Sequence, residues 1–260
     1  SDEGLRIYVE RGRGYRLATH LDRYHIREDL TISQTQEELH SVLVSGRQAK
    51  NWVQKYFDVS VPKKRYQQLQ ELGGDNPFSV RSTPARLMAV DWVSSEGFLV
   101  TVADECKDVL QSSLAATGLH MSADEMINHL RLQQGWPLKD DIPEKTLPQE
   151  VGLNDRAISL TKGCYLGQET VARLDALGHV NRRLVVLAVE KGGSMVVGDS
   201  VISNDEVVSH VTSVGSLGNQ EASLAMAIIP LKSMQQKSNL TVAGKAVKVV
   251  SPVLLDTLTT

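Results

Sequence analysis

The sequence predicts an α+β protein in which ferredoxin-like units of the split βαβ kind are followed by a small β-barrel. Three observations carry this. The first half alternates strand, helix, strand, strand, helix. After residue 183 the pattern changes to short apolar stretches separated by Gly, Asn, Asp and Pro, as in small barrels and sandwiches. The chain has 260 residues, 41% hydrophobic and 23% charged, enough for a sizeable core and for more than one domain.

Residues 5–9 (Leu-Arg-Ile-Tyr-Val) read as a strand. Residues 14–26 read as a helix with Leu17, Leu21, Tyr24 and His25 near one face. Residues 29–33 alternate like a short strand, and residues 40–45 form another that Gly46 stops. Residues 47–57 carry Ala49, Trp52, Val53 and Tyr56 at helical spacing. Residues 58–84 read as a loop holding a short helix at 63–72. Residues 85–92 and 97–102 form a strand pair joined by Ser-Ser-Glu-Gly, a hairpin signal. Two helices follow, 104–116 with Asp104 as N-cap and Gly118 beyond its end, and 123–133 with Ser122 as N-cap. The later strands are 184–189, 196–203, 206–214, 222–229 and the closing 240–253 region.

A formal net charge of -3 provides no global positive field for nucleic acid or anionic membrane. No apolar run has the length of a transmembrane helix. Cys106 and Cys164 are the only cysteines; they are too few for a disulfide framework and point to a reducing compartment. The expected location is a bacterial-type cytoplasm, or a mitochondrial matrix in a eukaryote. No metal site is expected, because the seven histidines are scattered and no Cys-x-x-Cys occurs. No P-loop, Gly-x-Gly-x-x-Gly or Gly-x-Ser-x-Gly elbow is present. The sequence leaves the oligomeric state open.

Residues 162–173 are the densest in chemistry: Lys-Gly-Cys-Tyr-Leu-Gly-Gln-Glu-Thr-Val-Ala-Arg. A cation beside a thiol stabilises the thiolate, so Cys164 with Lys162 is the candidate reactive pair, with Arg173 as a second cation. Gly163 and Gly167 permit a tight backbone path. Cys106, in a helix with Val109 and Leu110, reads as a core residue. Trp52 and Trp92 fit core positions. Trp136, after the Gly135 break, either lines a pocket or packs. Arg182 and Arg183 either bind a carboxylate or form salt bridges at a domain junction.

The Lys162-Gly-Cys-Tyr-x-Gly-Gln-Glu169 stretch, followed by Arg173, resembles the signature of the YgfZ-type folate-binding proteins, relatives of the glycine-cleavage T-protein (aminomethyltransferase). The likeness extends to Leu147-Pro-Gln-Glu150, to the entry Val180-Asn-Arg-Arg-Leu184, to the C-terminal strands and to Tyr24–Asp29. It implies a T-protein-like fold with three parts. Residues 1–35 are a remnant of a first α+β folate-binding unit whose earlier portion is missing. Residues 36–180 form a middle folate-binding domain carrying the motif, and residues 181–260 form the β-barrel. The family pattern departs at Gln133, where relatives carry a glutamate that contacts the pterin ring. An amide both donates and accepts hydrogen bonds but has no charge. Residues 136–142 are one residue short of the family pattern.

The resemblance implies that tetrahydrofolate, or another reduced folate, is the cofactor. It places Gln133, Trp136, Tyr165, Gln168, Glu169 and Arg173 around the cofactor, and Cys164 and Lys162 in the chemistry. It implies partners among iron–sulfur client or assembly proteins. A lone thiol cannot hold a stable cluster, so any cluster contact is transient or shared. Two further readings compete: a true aminomethyltransferase using tetrahydrofolate, and an interaction module with a decayed folate cleft.

Overall fold

The computed structural model describes residues 5–9, 12–34, 39–57, 68–72, 77–78, 85–94, 96–178, 180–189, 193–216, 224–234 and 239–250. Helix α1 (Gly14–Asp22) comes first and buries none of its residues. A four-stranded antiparallel sheet follows, built from β1 (Leu39–Ser45), β2 (Gln68–Leu72), β3 (Ala85–Val90) and β4 (Gly97–Ala103), in the order β1-β4-β3-β2. Every residue of β4 is buried. Helix α2 (Ala49–Phe57) buries Ala49, Trp52, Val53 and Phe57, a spacing that lines up one helical face. That face meets Phe78, Leu87 and Val100 in the first core, which also takes Cys106. A short 3₁₀ turn (Asp104–Cys106) leads into α3 (Lys107–Ala115), which buries Leu110, Ser113 and Leu114.

Helices α4 (Asp124–Gln133), α5 (Pro148–Val151), α6 (Asn154–Ala157) and α7 (Gln168–Leu177) fill the middle of the chain. The second sheet holds β5 (Arg182–Val189), β6 (Ser200–Ser203), β7 (Glu206–His210), β8 (Ser213–Gly215), β9 (Leu224–Pro230), β10 (Leu240–Val242) and β11 (Lys245–Val250). Its order is β7-β6-β10-β11-β5-β9-β8. The continuous apolar run of β5 follows from its two-sided burial. Val185 and Leu187 enter a core inside the sheet with Val201, Ala225 and Ile229. Leu184 and Val186 face the other way and pack with Leu132 of α4, Met226 and Ile228. The β6–β7 turn is Asn204-Asp205, both at positive φ, the conformation that a two-residue hairpin requires and that Asn and Asp tolerate.

The first sheet is antiparallel between all its neighbours, so β1 and β3 run in the same direction with β4 paired between them, and β2 adds to the edge beside β3. The architecture is mixed α+β. Several expectations are corrected. The C-terminal strands form a curled half-barrel instead of a closed barrel: the sheet has ends at β7 and β8, and β7 bends back towards β9. Residues 68–72, read as helix, are strand β2, because pairing with β3 supplies the hydrogen bonds; residues 63–67 lie outside the described residues. Residues 5–9 and 29–33 are not strands, and α1 ends at Asp22 instead of 26. The expected 206–214 strand is divided into β7 and β8. The 196–203 strand begins only at Ser200, and the closing region is two strands, with 251–253 outside the described residues. Neither Asp104 nor Ser122 caps a helix; Ala103 and Ala123 occupy those positions.

Candidate functional site

The motif folds as a loop that runs into α7. Gly167 is the N-cap of α7 at φ 87°, a left-handed conformation that only glycine adopts without strain. Tyr165 and Gln168 close the turn reciprocally. The Gln168 backbone N–H donates to the Tyr165 carbonyl at 3.2 Å, and the Tyr165 N–H donates to the Gln168 side-chain oxygen at 3.2 Å. The Lys162 ammonium lies 4.1 Å from the centroid of the Tyr165 ring, a cation–π contact. Cys164 is exposed between them. Glu169 sits in the first turn of α7, where a carboxylate complements the helix dipole. Glu169 and Arg173 are both exposed, and their four-residue separation puts them on one face.

Helix α7 is fixed from beneath. Val171 is buried, and its carbonyl accepts a hydrogen bond of 2.8 Å from Nε2 of buried Gln149 on α5. Helix α5 starts with Pro148 at a position that needs no N–H donor. Glu150 then uses both carboxylate oxygens. One accepts the Leu147 N–H at 2.9 Å, and the other accepts Nε of Arg182 at 2.9 Å. This hydrogen bond raises the basicity of Arg182. Of the two readings for Arg182, the salt bridge at the junction is the one observed.

Gln133 and Trp136 stand at the end of α4. Gln133 is the last residue of the helix and is exposed. The chain turns at Gly135, φ 66°. Trp136 is clamped by Arg131: its N–H donates to the Arg131 carbonyl at 2.8 Å, and its carbonyl accepts from Arg131 Nη1 at 3.0 Å. The Trp136 ring stacks on Trp92, with centroids 6.0 Å apart and 30° between planes. Both indoles are half-buried, so Trp92 is a stacking partner in the loop after β3 and not a strand-core residue.

Sequence reasoning missed the polar groups that hold these parts together. Arg131 donates from Nη1 to Asp141 at 2.9 Å, from Nη2 to the Ser213 hydroxyl at 2.7 Å and from Nε to Asn128 at 2.6 Å. Thr212 donates its hydroxyl to Asp141 at 2.6 Å. Arg156 of α6 pairs with buried Asp91 beyond β3 at 2.7 Å. The signals available were an arginine inside an amphipathic helix and an Asp140-Asp141 doublet, which do not say which acid turns inward. Among the described residues no group of three or more His, Cys, Asp or Glu is placed to hold a metal ion. No helix among them is long and apolar enough to cross a membrane.

No protein-family model matches the chain. The tRNA-modifying protein YgfZ of Colwellia psychrerythraea is 31% identical over 153 residues, 58% of this chain and 42% of that protein. An aminomethyltransferase of Rippkaea orientalis is 29% identical over 153 residues, 58% of this chain and 41% of the relative. The matched segments thus span about two fifths of the length of these relatives. Among solved structures, the glycine cleavage system aminomethyltransferase T from Bartonella henselae superposes with a TM-score of 0.72 at 15% identity, covering 94% of this chain and 66% of that one. The fold is that of an aminomethyltransferase T. The sequence likeness is divided between proteins named YgfZ and aminomethyltransferases.

Proposed function

We propose that this chain belongs with the aminomethyltransferases and YgfZ-like proteins it resembles and acts as a reduced-folate-binding accessory protein that supports assembly or repair of iron–sulfur clusters in client enzymes. The observation that carries this reading is the exposed thiol of Cys164 on a turn that Tyr165 and Gln168 close on themselves. That turn lies in the segment whose pattern resembles the YgfZ signature.

On this reading the cofactor is a reduced folate, which carries one-carbon units on its ring nitrogens. A pterin offers a flat face and an edge of alternating donors and acceptors. Trp136 supplies an aromatic wall, and the exposed amide of Gln133 both donates and accepts. Tyr165 and Gln168 shape the polar rim, with Glu169 beside them. Arg173 has the fork geometry for a carboxylate tail. Cys164 is the group that touches a client's cluster or thiol, and Lys162 is the cation at that surface. With one thiol to offer, the contact is transient or shared. The partners are iron–sulfur client or assembly proteins in a bacterial-type cytoplasm or a mitochondrial matrix. The tRNA-modifying role named for the Colwellia relative extends the reading to clients that modify tRNA.

Titration with tetrahydrofolate, followed by tryptophan fluorescence, tests the cofactor. A saturable change that Trp136→Phe largely removes is expected, and no change at saturating folate defeats the folate reading. The thiol is tested separately in a cell lacking its own copy. Cys164→Ala is expected to fail to restore iron–sulfur enzyme activity, and full restoration removes Cys164 from the function. The aminomethyltransferase fold favours a second reading, glycine-cleavage-type transfer to tetrahydrofolate. Turnover with a lipoyl carrier, ammonia and methylene-tetrahydrofolate replaces the first reading with this one.

A further inference from the structure

The Lys162 side chain has two destinations within reach. Its flexible four-carbon stem can carry the ammonium to the Tyr165 ring, three residues on, or to the Cys164 thiol, two residues on. Gly163 stands between cation and thiol. A Cβ there would meet nothing beyond its chain neighbours within 4 Å, so no side chain keeps the two apart. The ammonium nevertheless lies over the ring, 4.1 Å from its centroid. Among the described residues it forms no ion pair, and the thiol has no hydrogen-bond partner.

Tyr165 is half-buried and Lys162 exposed, so the ring is the steadier of the two partners. The tyrosine backbone is fixed as well: its N–H and its carbonyl both bond Gln168. The turn therefore closes without the phenol, and exchanging the ring does not remove either of its hydrogen bonds. A cation–π contact at an exposed site biases the ammonium towards the ring by about two- to fivefold. That bias is enough to set where the lysine rests and small enough to reverse.

On the proposed function, in which Cys164 is the reacting group, we propose that Tyr165 is a positioning residue that holds the Lys162 cation off the thiol. When the ring lets go, the ammonium moves to the sulfur. There it steadies a thiolate and draws in anionic reaction partners. Lys162 thus favours anionic electrophiles over neutral ones, and Tyr165 sets how much of the time it does so.

Alkylation of Cys164 in the full chain tests this. The sulfur attacks the methylene carbon of the reagent, and iodide leaves with its electron pair. Cys106 is buried, so the rate in the folded chain reports Cys164. At neutral pH and low salt, Tyr165→Leu is expected to raise the rate with anionic iodoacetate by about two- to fivefold, and with neutral iodoacetamide by less. Added salt erodes the difference between the reagents. Tyr165→Phe keeps a ring face and is expected to keep the restraint. Lys162→Met, added to Tyr165→Leu, is expected to cancel the gain. No gain in Tyr165→Leu overturns the proposal. So does a gain that survives Lys162→Met, or one equal for the two reagents, since either marks a loosened loop instead of a released cation. None of these rates involves folate or a client protein. An absent folate titration, or full restoration by Cys164→Ala, therefore defeats the proposed function without altering them.

Discussion

Arg131 and Asp141 form an ion pair of 2.9 Å with both side chains almost wholly shut off from solvent. The pair survives burial because its other polar atoms are used as well: Asp141 also accepts the Leu138 N–H and the Thr212 hydroxyl, and Arg131 reaches Ser213 and Asn128. Burial lowers the basicity of Arg131, and Asp141 opposes that change. Removing one partner strands the other charge, so Asp141→Ala is expected to cost about 3–5 kcal/mol in urea unfolding. Replacing both, Arg131→Met with Asp141→Leu, is expected to cost clearly less than the sum of the single changes. A single-variant cost below about 1 kcal/mol is incompatible with a network that joins α4 to the second sheet.

Gly215 sets how closely α4 approaches β8. A Cβ at this position meets Leu132 Cδ1 at 2.8 Å and the His129 Cα at 3.0 Å. The leucine methyl can turn aside, but the helix backbone cannot. Gly215→Ala is therefore expected to destabilise the protein by about 1–3 kcal/mol. Leu132→Ala in the same chain does not rescue it, because the backbone contact remains. Thermal unfolding of the two variants and their combination decides the matter.

How much of this was legible depends on the range of the interaction. Helix α2 was legible because Ala49, Trp52 and Val53 repeat at helical spacing, and β5 because its apolar run is strand-sized. The stretch 68–72 was not, since its Gln, Glu and Leu residues suit a helix and only pairing with β3 makes it a strand. Leu5–Val9 has strand composition, but a strand needs a neighbour, which no described residue provides. The site divided in the same way. The motif around Cys164 is local and could be read directly. Whether the Lys162 ammonium turns to the thiol or to the Tyr165 ring is a rotamer choice, and the ring is what it faces. The Arg131–Asp141 pair spans two elements, and no periodicity announces it.

Gln149 holds the motif helix from below, through its hydrogen bond to the Val171 carbonyl. Gln149→Leu keeps the volume and removes the donor, leaving a buried carbonyl one partner short. A loss of about 1–3 kcal/mol is expected, concentrated in α7. Hydrogen–deuterium exchange should show residues 168–177 opening sooner while β4 keeps its protection. Uniform acceleration across both sheets contradicts a local anchor.

The turn after α1 has its own pH dependence. The backbone hydrogen bonds of Ile26 and Arg27 hold the Glu28 carboxyl down to about 2 from an ordinary 4.5. A lowered folded value means that the turn's stabilisation is complete above about 4.5 and is lost as pH falls through about 2. The Ile26 and Arg27 amide resonances are expected to move with a midpoint near 2. In Glu28→Gln that titration disappears. A midpoint near 4.5 in the unaltered chain contradicts these hydrogen bonds.

The two thiols should separate cleanly in reactivity. Cys164 is exposed and Cys106 is 6% exposed in the first core. Burial pushes the Cys106 thiol above its ordinary value of 9.0, and Glu105 adds to the effect. At neutral pH one equivalent of an alkylating reagent is expected to react rapidly, and none in Cys164→Ser until the protein unfolds. The sign of the pH effect follows from the raised folded value. Above pH about 9 the unfolded chain loses the Cys106 proton while the folded chain keeps it, so stability falls as pH rises. Cys106→Ala removes this contribution, and its stability should decline less steeply between pH 8 and 10. Two thiols reacting at equal rates in the native protein would place Cys106 outside the core and refute both expectations.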